Sequence, residues 1–232
     1  MPDKNNRFFT KSELKQMGVE TVDLIQKAVD AGKPEETKKL ARRMYREAFF
    51  LHENYRDWIT SLLSYIYRHN GDKGVYEALH EAFEQLSIIM DTYRSVDAGR
   101  QAEMLAAGFR GHLTSVVVEE DDDKFTILMP LCGSAGRSIS NKGYEKPTNF
   151  AKIKKPQKMT FGKRDFPVFC AHCALEEIVA MEKTGYPVWV IDIPEKVGTG
   201  PCKYHIYKDP EKIPSKYYER YGFKKPAAER SK

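Results

Sequence analysis

No apolar run in the chain approaches the ~20 residues that a membrane-spanning helix needs, which argues against a helical membrane span. The opening Met1-Pro2-Asp3-Lys4-Asn5-Asn6-Arg7 carries no apolar segment of the signal-peptide kind. Both absences point to the cytoplasm. Internal repeats are missing, as are zinc-finger histidine spacing, an aromatic RNA-binding signature and a helix-turn-helix pattern, which points away from nucleic acid. Cysteine is scarce: four in 232 residues, none before Cys132. In a reducing compartment four thiols point to metal binding or catalysis rather than to disulfides.

What is present suffices for a folded body. Hydrophobic residues make up 41% and charged residues 31%, enough to fill a core and to cover it, in one large domain or two small ones. The net charge of +5 is small but uneven. Eight basic residues, Lys142, Lys146, Lys152, Lys154, Lys155, Lys158, Lys163 and Arg164, face only Glu145 and Asp165 nearby. The segment reads either as a solvated lysine-rich loop or as an attractor for a small anionic molecule or a protein partner.

The first 110 residues read as helical. Thr10-Lys11-Ser12-Glu13 has the form of a capping box and opens a helix to about Ala31. Pro34 suits the first turn of the next helix, which carries Leu40, Met44, Ala48, Leu51, Tyr55, Ile59, Leu62 and Ile66 at helical spacing. Asn70-Gly71-Asp72 breaks it. Val75, Leu79, Phe83, Leu86 and Met90 mark a third helix, and a fourth runs from about Asp97 to Gly108. The period then changes. Thr114–Glu119 and Phe125–Met129 predict a hairpin about an acidic turn. A long basic stretch follows to about Pro167, of the kind that is functional or mobile. Ala171–Lys183 predicts a helix, Val188–Ile191 and Cys202–Tyr207 strands, and Pro214–Tyr221 a short terminal helix. The expected fold is α+β: a helical region, 1–110, packed on a small, mostly antiparallel sheet in 111–232 that carries a cysteine-rich metal site.

The cysteines sit in Cys132-Gly133-Ser134-Ala135-Gly136-Arg137, Cys170-Ala171-His172-Cys173 and Gly200-Pro201-Cys202. Each falls at the end of an element. Cys170 and Cys173 are three apart, so both sulfurs can reach one ion, and a helix opening at Cys173 would lower its thiol pKa. Gly133 and Gly136 let the loop after Cys132 turn its N–H groups inward. Four thiolates close a tetrahedral zinc site; three with His172 or a water leave an open catalytic position. An iron site or an iron–sulfur cluster is the alternative, and a redox thiol pair or plain buried cysteines remain open.

Other candidates are polar groups near apolar stripes. His52, Tyr55 and His80 would line a cleft between the halves, with His172 or His52 transferring protons. Arg137 reads as an anion clamp, and Arg110 and His112 stand at the junction of the halves. Core packing is the competing reading for His52, and a surface arginine paired with Glu or Asp is the competing reading for Arg137. With helices preceding strands and late cysteines, the C-terminal half resembles the cysteine-containing small-molecule domains of the 4-vinyl reductase and aminothiazoline-carboxylate hydrolase type. The resemblance implies a small-molecule ligand near clustered cysteines. The expected function is that of a metal-dependent hydrolase or lyase acting on a small anionic organic molecule. The alternatives are a ligand-sensing module with structural zinc and an accessory iron–sulfur subunit.

Overall fold

A computed structural model describes residues 8–198 and 200–227. The chain divides into two compact units, with the boundary between Tyr55 and Arg56. The first contains α1 (Lys11–Met17), α2 (Thr21–Asp30) and the start of α3 (Pro34–Gln85). Thr10 and Glu13 form the capping box that opens α1. The helix expected to reach Ala31 instead stops before Gly18, which caps α1. Thr21 and Ala28 are the buried side chains among the described residues of this unit, and the Thr21 hydroxyl donates to Glu47 at 2.7 Å.

The second unit holds the rest of α3, interrupted at Gly71 by non-helical backbone (φ 66°), then α4 (Ser87–Arg94) and α5 (Ala98–Gly111). Asp97 caps α5 through the Arg100 N–H. A four-stranded antiparallel sheet follows in the order β1 (Val117–Glu120), β2 (Lys124–Met129), β6 (Cys202–Tyr207), β5 (Val190–Asp192). The β1–β2 turn is set by Asp121, whose carboxylate accepts the N–H groups of Asp123 and Lys124 at 2.9 Å, an Asx-type turn.

The unit boundary at 55/56, rather than near residue 110, has a packing reason. Ala102, Leu105 and Ala106 of α5 share one core cluster with Ile127, Met129, Ile191 and Ile206 of the sheet. A helix so committed to the sheet belongs to the same body. A second cluster gathers around α7 (Ala171–Thr184), which buries Leu175 and Ile178 against Leu63, Val75, Val190 and Tyr218. Gly185 ends α7 in the left-handed conformation.

The 130–167 stretch is not an open lysine loop. It folds as α6 (Ala135–Ser140), a two-stranded ribbon of β3 (Lys152–Ile153) and β4 (Phe166–Pro167), and a single 3-10 turn. It buries Phe150, Ile153, Met159 and Phe166. The short α8 (Lys216–Glu219) closes the unit with Tyr217 and Tyr218 buried.

Candidate functional site

Strand register brings the cysteines to one end of the sheet. Met129, the last residue of β2, pairs with Cys202, the first of β6. Three residues beyond Met129 the chain reaches Cys132, so Cys132 and Cys202 come to the same sheet end. Cys170 closes a 3-10 turn and stands at the N-cap of α7, with Cys173 in the first turn of that helix. All four cysteines line one small cavity of about 30 Å³, together with His172 and Tyr204. All four are free thiols.

Local backbone fixes this arrangement. A Cβ at Gly133 would stand 2.3 Å from the His112 carbonyl oxygen, far inside van der Waals contact. Glycine is therefore required for the loop after Cys132 to pass the end of α5. Arg137 then staples that contact, donating to the backbone carbonyls of Leu113 (3.0 Å) and His112 (2.9 Å). Arg137, read from the sequence as an anion clamp, thus directs both terminal guanidinium nitrogens to main-chain oxygens here.

The electrostatics keep Cys170, Cys173 and Cys202 as neutral thiols. Burial pushes the Cys170 thiol well above its ordinary range, and the neighbouring Cys132 and Cys202 push it further. Burial does the same to Cys173, aided by Glu176 and Cys170. Cys202 is pushed up to about 12 by burial and by Cys132. The expectation that the helix terminus lowers the Cys173 pKa is thus overturned: desolvation outweighs the dipole of one helix end. These mutual effects also place the sulfurs within electrostatic reach of one another. Among the described residues, no three His, Cys, Asp or Glu side chains converge closely enough to hold a metal ion as they stand.

His172 lines the cavity. Its Nδ1 lies 2.6 Å from the Phe169 carbonyl oxygen, an acceptor only, so Nδ1 carries the proton and Nε2 presents a lone pair. That Nε2 lies 3.4 Å from Cys173 Sγ, and the Tyr204 hydroxyl lies 3.4 Å from the same sulfur. Burial lowers the His172 pKa to about 4, so the ring is neutral.

A second cavity, of about 270 Å³, adjoins the first and shares Met129, Cys132, His172 and Tyr204 with it. Its further walls include Leu105, Phe109, Trp189, His112, Ser134 and Glu176. The Ser134 hydroxyl is 3.5 Å from His112 Nδ1. Burial raises the Glu176 pKa to about 8, the charge of Glu177 adds to it, and a hydrogen bond with Trp189 opposes it. Sequence reading passed over Glu176, although it stands one helical turn after Cys173.

The remaining candidates lie elsewhere. His80 pairs with Glu182 at 2.6 Å and stacks on Tyr76. Arg110 is exposed in the last turn of α5. His52 and Tyr55 belong to the first unit, where His52 Nδ1 is 3.4 Å from the Glu53 carboxylate and Tyr55 is half exposed. Both cavities are walled by residues of the second unit, and His52, Tyr55 and His80 are not among the described residues that line them. Compared with protein-family models, with curated proteins and with solved structures, the chain matches none.

Proposed function

We propose that this chain is a metal-dependent enzyme of the hydrolase or lyase kind. In this reading three of Cys132, Cys170, Cys173 and Cys202 would hold zinc or iron and leave one position open, and the adjoining cavity would take a small organic substrate. The observation that carries the proposal is the meeting of all four cysteines, unbridged, at one cavity with room for an ion but not for an organic molecule. Mutually repelling thiolates in a buried site need a cation, and binding one releases their protons. To hold the ion the sulfurs must draw closer than they stand. When bound, the ion polarises a carbonyl or lowers the pKa of a water.

The chain's own residues supply the rest. His172 Nε2, on the boundary of both cavities, accepts a proton there. The Tyr204 hydroxyl, also common to both, donates a hydrogen bond. Phe109 and Trp189 supply an aromatic wall for the substrate. Among the described residues lining the larger cavity none is Lys or Arg, so the substrate is compact and largely apolar rather than strongly anionic.

Elemental analysis of protein purified without added metal tests this. One equivalent of zinc or iron is expected, falling to a trace in the Cys170→Ser/Cys173→Ser variant. A metal-free wild type that takes up neither ion, or full occupancy in the double variant, would end the proposal.

One observation favours a second reading, a structural ion. Cys170 packs against the α7 cluster while Cys132, Cys173 and Cys202 pack against the α5–sheet cluster, so an ion would tie two cores together. Chelation that unfolds the protein supports the structural reading. Chelation that leaves it folded supports the catalytic one.

A further inference from the structure

The basic segment encloses a cavity of its own. It measures about 260 Å³ and lies among residues 142–145, the β3–β4 ribbon and residues 195–197. Five cationic side chains line it: Lys142, Lys152, Lys163, Arg164 and Lys196. Three carboxylates do so as well, Glu145, Asp165 and Glu195. Asp165 is committed to Lys154, whose ammonium lies 2.7 Å from it. The floor is apolar, formed by Ile139, Phe166, Pro167 and Val197, with buried Tyr144 beside them.

Two of the cations are held by the fold. Lys163 donates to the Glu195 carbonyl at 3.0 Å and so ties the two turns that flank the cavity. The Lys152 ammonium stands 5.9 Å from the Tyr144 ring centroid. The local field is positive: the Asp165 carboxyl is held below its usual range first by the Lys154 hydrogen bond and then by the charges of Lys154, Lys152 and Arg164. Five cations against three carboxylates, one of them held by Lys154, leave the lining net positive over an apolar floor, which favours an anion. Solvated lysines on a plain surface would have neither floor nor enclosure.

We infer that this cavity is a binding site for a small molecule that joins a flat apolar body to an oxyanion, phosphoryl or carboxylate. The body rests on Phe166, Pro167 and Val197, and the oxyanion meets the Lys152 and Arg164 side chains. The site backs onto the thiol cavity, with which it shares Phe166 and Val197, but no cysteine lines it and it needs no metal.

Calorimetric titration of the full-length protein at low ionic strength tests it, with phenyl phosphate and benzoate as the two anion sources and phenol as the neutral probe. At least one anion is expected to bind with a Kd below about 1 mM, and phenol is expected not to bind. The stronger of the two identifies the oxyanion. Lys152→Gln/Arg164→Gln should weaken that binding about tenfold or more, and Arg164→Gln alone serves if the pair fails to fold. The Cys170→Ser/Cys173→Ser variant should bind as wild type does. The inference is overturned if neither anion binds, if phenol binds equally well, if the charge-removing variants retain full affinity, or if the cysteine variant loses it. The metal proposal stands or falls on metal content alone, so the two outcomes are distinguishable.

Discussion

Glu177 is a carboxylate with no exposed surface, and its surroundings show how such a group is tolerated. One oxygen accepts the Ile191 N–H and the other takes the Arg220 guanidinium. Arg220 in turn lies over the rings of Phe161, Tyr217 and Tyr221, each about 5 Å away, where cation–π attraction adds to the pair. Burial still wins in part and raises the Glu177 pKa to about 7. Removing only the arginine leaves the carboxyl with no cation, so Arg220→Ala should cost about 3–5 kcal/mol in urea unfolding. A cost under about 1 kcal/mol would show that the pair is not needed. Glu176 gives a pH signature. Its pKa is raised in the folded chain, to about 8, so between its unfolded value and that point the folded state binds the extra proton. Stability therefore falls as pH rises from about 4.5 to about 8. Glu176→Gln should flatten part of that decline in metal-free protein, gaining thermal stability relative to wild type at about pH 8 but not at about pH 5. Parallel curves for the two proteins would sink the assignment. Glu177, raised to about 7, adds to the decline, and His172, lowered to about 4 from an ordinary 6.5, opposes it between those values.

At the scale of elements, α7 decides the architecture. It buries Leu175, Ile178, Val179 and Met181 around its axis, and its N-terminal end carries Cys170 and Cys173. Leu175→Ala should cost about 2–5 kcal/mol, the usual range for a fully buried leucine. It should also weaken any metal binding, because the helix end that presents Cys170 and Cys173 would shift. Metal content unchanged in a destabilised variant would separate the helix from the site. The same elements show what a sequence can reveal. β6 is written in the alternation of Cys202–Tyr207, the hairpin in two β-branched runs about Asp121, and α7 in its helical period. Each signal is local. The short helix α6 was not legible, since Gly133, Ser134 and Gly136 read as a loop, and only tertiary packing of Ala135 and Ser138 makes it helical. The meeting of the cysteines could be guessed from their positions at element ends. Glu176 and the wall of aromatics could not, because they depend on how α5 lies against the sheet.

At the scale of the molecule, the two units differ in what they bury. Between residues 8 and 55 only Thr21 and Ala28 are buried, too little apolar burial to offset the entropy of ordering those residues. The second unit has two core clusters. Hydrogen exchange should therefore find α1 and α2 exchanging near the rate of local opening, with α7 and β6 protected up to the global unfolding free energy. Equal protection in both would mean that the first unit gains its stability from a partner. The contact between Gly133 and the His112 carbonyl reaches beyond this one chain. A methyl group at that spot collides with main chain, which cannot swing aside as a side chain can. Evolution is thus denied every alternative there, however far the surrounding surface drifts. Distant cousins built on the same plan should be recognisable by a glycine one step after the first cysteine, even where nothing else in their alignment survives.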